Sequence, residues 1–152
     1  MKLHDGGRAP NPRRVRIFCA EKGIALPELV PVNLAAQEQL TPEFLRLNPA
    51  GQLPVLVLDD GAAIAETMAI CRYFEALQPL PALFGTGAQE QALIEMWSRR
   101  VEFGLYAAVQ AVFRHFHPGM AAMENPQVPG WAEVNRPRVD RHLAILENHL
   151  QG

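Results

Sequence analysis

Cysteine is scarce in this chain: Cys19 and Cys71 are the only 2 in 152 residues. Thiols so few and so far apart in sequence make no disulfide framework, and the absence of a Cys-x-x-Cys pair argues against a dithiol redox site. Charge of one sign is also lacking. The 14 Lys and Arg against 16 Asp and Glu leave a formal charge of -2, which gives no general pull toward nucleic acid or an anionic membrane. No apolar run approaches the roughly 18 residues of a membrane span, and Met1-Lys2-Leu3-His4-Asp5 turns polar too early for a secretory signal. His4, His142 and His149 lack metal-ligand spacing, so no metal is expected. What is present is apolar: 49% of residues are hydrophobic, enough for a core that needs no staple and too much for a disordered chain. The expectation is a cytoplasmic globular protein without nucleic-acid or membrane partners.

The first half alternates short apolar runs with helical patterns. Met1 to His4 reads as a strand, followed by the breaker-rich Asp5-Gly6-Gly7-Arg8-Ala9-Pro10-Asn11-Pro12. Val15, Phe18, Cys19 and Lys22 fall on one helical face, and Gly23 stops that helix. Leu29-Val30-Pro31-Val32 reads as an edge strand because of its proline. Thr41 is placed as N-cap of a short helix, with Pro42 at its first position. Asn48-Pro49-Ala50-Gly51 is a turn. Leu53 to Leu58 is a strand, Asp59-Asp60-Gly61 a hairpin turn, and Ala62 to Ala65 the partner strand. Helical spacing resumes from Thr67 through Met68, Ile70, Cys71, Phe74 and Leu77. The order is therefore β-α-β-α-β-β-α over residues 1–78.

Breakers without period over residues 79–88 read as a linker, and no strand signal follows it. Gln89 to about Phe116 reads as one long helix ended by His117-Pro118-Gly119. Asn125 to Gly130 forms a second break. The last amphipathic helix carries Val139, Leu143, Leu146 and Leu150, and Pro137 either starts or kinks it. Residues 89–152 are thus expected to form an all-α domain. Cys19 and Cys71 sit on apolar helix faces as small hydrophobes. Arg8, Arg13, Arg14 and Arg16 read as a solvated face, and Trp97, Phe103, Tyr106 and Phe113 as core or interface.

Five blocks then stand out: Pro10-Asn11-Pro12-Arg13-Arg14-Val15-Arg16-Ile17-Phe18 with Ala20-Glu21-Lys22-Gly23, Pro42-Glu43-Phe44-Leu45, Asn48-Pro49-Ala50-Gly51-Gln52-Leu53-Pro54-Val55-Leu56, Asp59-Asp60-Gly61, and Ile64-Ala65-Glu66-Thr67-Met68-Ala69-Ile70. They resemble the glutathione transferase family, whose first domain is thioredoxin-like and whose second is all helical. Proline after Leu53, where a strand begins, is either an ordinary turn proline or a place for a cis peptide. The cis bond turns the Leu53 backbone N–H and C=O outward, where a bound tripeptide can pair like an added strand. The resemblance implies that the tripeptide is glutathione, bound there through its cysteinyl backbone.

At Glu66 and Thr67 a strand hands over to a helix, whose N-terminus attracts an anion. Residue types alone favour a plain N-cap and a solvated Glu66; the neighbouring Pro54 block reverses that. The resemblance gives the γ-glutamyl carboxylate to Thr67 and the helix N-terminus, and the amine to Glu66. For the glycyl carboxylate it points to Gln39 and Gln52, with a solvated loop residue as the competing reading of Gln39; Arg8 or Arg13 could also reach glutathione carboxylates.

Most family members ionise the thiol with a Tyr, Ser or Cys near the end of the first strand. Residues 1–16 contain no Tyr, Ser, Thr or Cys; Ala9 and Pro10 stand at the corresponding places. Taking a thiol from a pKa near 8.5 to about 6.5 requires ~2.7 kcal/mol of preferential thiolate stabilisation. A helix N-terminus supplies roughly 0.3–2 kcal/mol, and one charge-assisted donor about 1.5–3 kcal/mol. The stretch Phe113-Arg114-His115-Phe116-His117-Pro118-Gly119 resembles an atypical fungal and proteobacterial branch that also lacks the activator. The resemblance implies a water-assisted catalytic role for His115, with His117 second. A histidine at a helix C-terminus also simply suits the dipole. Ala9, Tyr106, Phe116 and His117 are the implied walls of the acceptor pocket.

The implied activity is conjugation of glutathione, as co-substrate, to a hydrophobic electrophile in detoxification, by a homodimer whose first domain packs on the partner's long helix. A non-catalytic glutathione-binding or stress-related protein on the same fold is the alternative; a thiol peroxidase is disfavoured by the missing active-site cysteine. Against the resemblance, 152 residues is short, because the family's helical domain continues with a capping segment and further helices. A truncated chain is the favoured expectation, with a partner over the last helices as the other.

Overall fold

The computed structural model describes residues 1–151; Gly152, the end of the expected helical domain, lies outside them. The chain divides into two compact units, Met1–Phe84 and a second from Gly85 onward.

In the first unit a four-stranded sheet runs in the order β2-β1-β3-β4, with β1 at Lys2–Asp5, β2 at Glu28–Pro31, β3 at Val55–Val57 and β4 at Ala63–Ala65. β1 pairs parallel with β2 and antiparallel with β3, and β3 pairs antiparallel with β4. The β-α-β-α-β-β-α order holds. β3 is shorter than the expected Leu53–Leu58 strand, since Pro54 has no amide to give a ladder.

α1 (Pro10–Glu21) starts with proline at its first position and ends before Gly23, which takes φ +64. α2 (Pro42–Leu47) is capped by Thr41, whose hydroxyl accepts from the Phe44 amide at 3.3 Å. α3 spans Thr67–Leu77. Strand alternation sends Leu3 and Leu56 to one face of the sheet, where they meet Val15 and Cys19 of α1 and Ile70, Cys71 and Phe74 of α3. Each large apolar side chain so buried contributes about 1.5–3 kcal/mol. Val32, Leu53 and Val55 pack with Phe44 of α2 in a second cluster.

The first unit extends past α3 because Lys22 holds the segment that follows. Its ammonium group is fully buried, 2.6 Å from both Glu75 Oε2 and the Pro81 carbonyl oxygen. Glu75 Oε1 accepts from the Phe84 amide at 3.2 Å, and the Phe84 ring packs on Phe18.

The second unit is helical. α4 (Gly87–Arg99) runs on through a π-helical stretch, Arg100–Tyr106, into α5 (Ala107–Phe116). The expected single helix is therefore wider in its middle, where the Ala107 amide reaches back to the Glu102 carbonyl. His142 sits directly over Gly104 in this stretch, leaving no room for a Cβ. α6 spans Pro129–Gln151, so it starts eight residues before Pro137 and carries that proline inside. Trp97 and His149 stack at 4.0 Å, joining α4 to the end of α6. Phe103 and Phe113, two of the residues read as core or interface, are 68% and 49% exposed, which removes the core half of that reading for both.

Candidate functional site

The register of the sheet brings two motifs to one place. Val55 is opposite Ala65 in an antiparallel ladder. Residues 53–54 therefore lie at the same end of the sheet as 66–67, where β4 passes into α3. Leu53 precedes β3 and stays outside its ladders, and the Leu53–Pro54 peptide is cis. Leu53 and Pro54 are buried, Glu66 exposed and Thr67 buried.

Glu66 takes φ +68, a left-handed conformation that costs a non-glycine residue about 1–3 kcal/mol and collects at functional sites. Glu66, not Thr67, is the N-cap of α3, and its side chain makes no capping bond. Thr67 is the first helical residue. Its hydroxyl oxygen accepts from Arg14 Nη1 at 3.1 Å. The solvated-face reading of Arg14 and Arg16 is thereby corrected: both are partly buried, and Arg16 pairs with the Asp5 carboxylate and donates to the Gly7 carbonyl at 2.7 Å. Arg8 and Arg13 are exposed.

The loop from β1 to α1 lies against Leu53. A Cβ at Gly6 would meet Leu53 and Leu34 at 3.1 Å and Ala9 at 3.5 Å. Asp5 also accepts from the Gly7 amide, so one buried carboxylate holds both loop and helix. Ala9 is the N-cap of α1 and makes no side-chain cap. Prolines at positions 10 and 12 remove two amides, so the donors of that first turn reduce to Asn11 and Arg13, and Arg13 donates to Ala9.

Beside this end lies the Asn48 turn. Asn48 is buried; its Nδ2 donates to the Gln52 carbonyl at 2.9 Å and its Oδ1 accepts from Ala50 at 3.1 Å. Gly51 takes φ +61, and a Cβ there would come within 3.3 Å of the Gln39 carbonyl. Gln39 and exposed Gln52 are therefore neighbours through this turn. Gln39 is 5% exposed, so it is not a solvated loop residue. Its Oε1 is buried without a hydrogen-bond partner, a cost of about 1–3 kcal/mol that a donor would relieve.

Of the residues singled out in the sequence, Ala9, Gln39, Gln52, Leu53, Pro54, Glu66 and Thr67 belong to the first unit; Tyr106, His115, Phe116 and His117 belong to the second. His115 Nδ1 accepts from the Val128 amide at 3.3 Å, and its Nε2 faces Glu124 Oε1 at 3.8 Å. Accepting at Nδ1 puts the proton of the neutral ring on Nε2. Arg114 donates to Glu124 at 2.6 Å, and this bond holds the Glu124 carboxyl below its usual range. His117 Nδ1 accepts from Gly119 and caps a 3₁₀ turn at Pro118–Met120. Phe116 is exposed with the Arg136 guanidinium 4.7 Å over its ring, and Tyr106 ends the π-helical stretch.

Both cysteines are buried and free. Burial pushes both thiols up, and for Cys71 burial, with Cys19 beside it, reaches about 12. Neither is a nucleophile at neutral pH. Among the described residues no three His, Cys, Asp or Glu come together to hold a metal ion, and no helix is long and apolar enough to cross a membrane.

Comparison with known proteins identifies the fold and the family. Residues 9–77 match the glutathione S-transferase N-terminal domain. A glutathione S-transferase domain-containing protein of Marinobacter aquaeolei VT8, 38% identical, superposes with a TM-score of 0.94 over 99% of this chain and 75% of its own. The chain belongs to the glutathione S-transferase family. Gtt2 of Saccharomyces cerevisiae gives 36% identity and a TM-score of 0.92, over 99% of this chain and 74% of Gtt2. Glutathione S-transferase 2 of the same yeast is 41% identical over 121 residues, which is 79% of this chain and 52% of that protein. The chain spans about half the length of the curated relatives it matches. The family's thioredoxin-like first domain is the first unit described above.

The sequence reading missed Arg14. It stands four residues before Phe18 and eight before Lys22, so the stripe that placed those two on the inner face also contained it.

Proposed function

We propose that this glutathione S-transferase chain binds glutathione at the end of its sheet and transfers it as thiolate to a hydrophobic electrophile. The observation that carries the reading is the register that sets the free backbone of Leu53 beside the N-terminus of α3. The Leu53 backbone pairs with the cysteinyl residue like an added strand, and Pro54 holds it there. Thr67 and the α3 amides take the γ-glutamyl carboxylate and Glu66 the amine. Gln39 and Gln52 donate amide hydrogens to the glycyl carboxylate.

With Ala9 at the activator's place, the α1 N-terminus supplies part of the thiolate stabilisation. His115, with its Nε2 proton, supplies the rest through a water. Tyr106, Phe116 and His117 are the acceptor-binding residues of the second unit. The working unit is a cytoplasmic homodimer acting in detoxification. Catalysis is thiolate stabilisation and proximity, with no covalent enzyme intermediate.

The lack of any Tyr, Ser, Thr or Cys in residues 1–16 favours one second reading, a glutathione-binding protein without turnover. Retention on immobilised glutathione, run beside conjugation of an aryl halide, separates the two. Retention with turnover supports the transferase, and retention alone the binding protein. Loss of retention overturns both.

A further inference from the structure

We propose that Arg14 is a positioning residue of the γ-glutamyl subsite, acting through Thr67: it donates to the Thr67 hydroxyl oxygen so that the hydroxyl proton is left to meet the ligand carboxylate. The inference rests on the glutathione reading above and adds a residue to it.

A guanidinium has donors only, so in the 3.1 Å contact with Arg14 Nη1 the Thr67 oxygen can only accept. A hydroxyl has one proton and can accept twice; that proton therefore remains to be given. Thr67 opens α3, so no carbonyl of a preceding helical turn stands behind it to take the proton. The Glu66 side chain caps none of the α3 amides, and the first turn of α3 contains no acidic residue. Thr67 is 8% exposed, where water screens a charge weakly. A carboxylate arriving here meets the hydroxyl proton and the helix amides, with a fixed cation one hydrogen bond further back. Of the other arginines near α1, Arg16 is taken by Asp5 and Gly7, while Arg8 and Arg13 are exposed.

The test measures dissociation constants by calorimetry for glutathione and for γ-aminobutyryl-cysteinyl-glycine, which is glutathione without its α-carboxylate. Arg14→Met keeps the apolar stem and removes the charge. It is expected to weaken glutathione about 10-fold or more and to leave the carboxylate-free analogue within about twofold. Arg14→Lys, which keeps a charge and a donor, recovers part of the loss. In a Thr67→Val background Arg14→Met adds no further loss, as acting through Thr67 requires. Equal weakening of both ligands, or unchanged glutathione binding in Arg14→Met, overturns the role of Arg14 and leaves the glutathione site standing. Wild-type protein that binds no glutathione overturns the site and the role together. Far-UV circular dichroism checks each variant's fold, and Arg14→Lys carries the comparison alone if Arg14→Met does not fold.

Discussion

Single side chains decide what chemistry is open to this chain. Burial keeps the Cys19 and Cys71 thiols protonated, with Cys71 near 12, so the native protein is expected to give no reaction with Ellman's reagent at neutral pH. Both thiols should react once guanidinium unfolds it; a fast native thiol would contradict the packing. His115 is the opposite case, a ring whose proton is placed by a backbone amide. His115→Ala is expected to raise the pKa of enzyme-bound glutathione and to lower turnover about 10-fold. If thiolate absorbance and turnover are both unchanged in the variant, His115 has no part in activation. Residue-scale chemistry was only partly legible in the sequence. Leu53, Pro54, Glu66 and Thr67 lie in two short motifs, each readable locally. Arg14 meets Thr67 across 53 positions, and no local pattern names a partner at that distance. The buried state of Gln39 likewise comes from the Asn48 turn folding against it.

Among the elements, the helical ones hold the least expected features. The π-helical stretch at Arg100–Tyr106 places Gly104 directly under His142. Gly104→Ala is expected to lower stability by about 1–3 kcal/mol through overpacking, although alanine is the better helix former. The loss should shrink in a His142→Ala background, as thermal unfolding of the two singles and the double would read; equal losses in both backgrounds would place the cost elsewhere. The segment after α5 is pinned by Glu124, which Arg114 holds below its usual pKa, and by Gln127, which donates to the Arg114 and His117 carbonyls at 2.8 Å. Because the folded-state pKa of Glu124 is depressed, its contribution is complete above the ordinary carboxylate range and is lost as pH falls through the lowered value. The unfolding midpoint of Glu124→Gln should therefore lie below wild type at about pH 7 and converge with it as acid protonates the Glu124 carboxyl. A gap that persists in acid would remove the ion pair as its cause. Helix starts with a local cap, such as Thr41 before Pro42, were readable. The start of α6 is open in the sequence, where Pro137 can either start the helix or kink it; the helix begins at Pro129 and carries Pro137 inside. A proline inside a helix and one at its head leave the same mark in sequence.

For the whole molecule, the two units differ in how much they bury. The first has two apolar clusters with Leu3, Val15, Leu56 and Ile70 at 0% exposure. In the second, the buried apolar side chains among the described residues are Ala108, Met120 and Ala132, and α4 buries none. Amides of β1, β3 and α3 are therefore expected to be the slowest in native-state hydrogen exchange, and those of α4 and the far end of α6 faster. Uniform protection along the chain would show that the second unit is stabilised by more than the packing described.

The left-handed backbone at Glu66 bears on how such a chain would evolve under heat. Glycine tolerates positive φ without the penalty that Glu66 incurs, so a laboratory selection for thermostability alone should drift toward Glu66→Gly. Proteins rarely stand at their stability optimum where a binding site needs a particular side chain. Position 66 would then mark the point at which hardiness and ligand capture trade against each other, and the sequences surviving such a selection would record which of the two was being chosen.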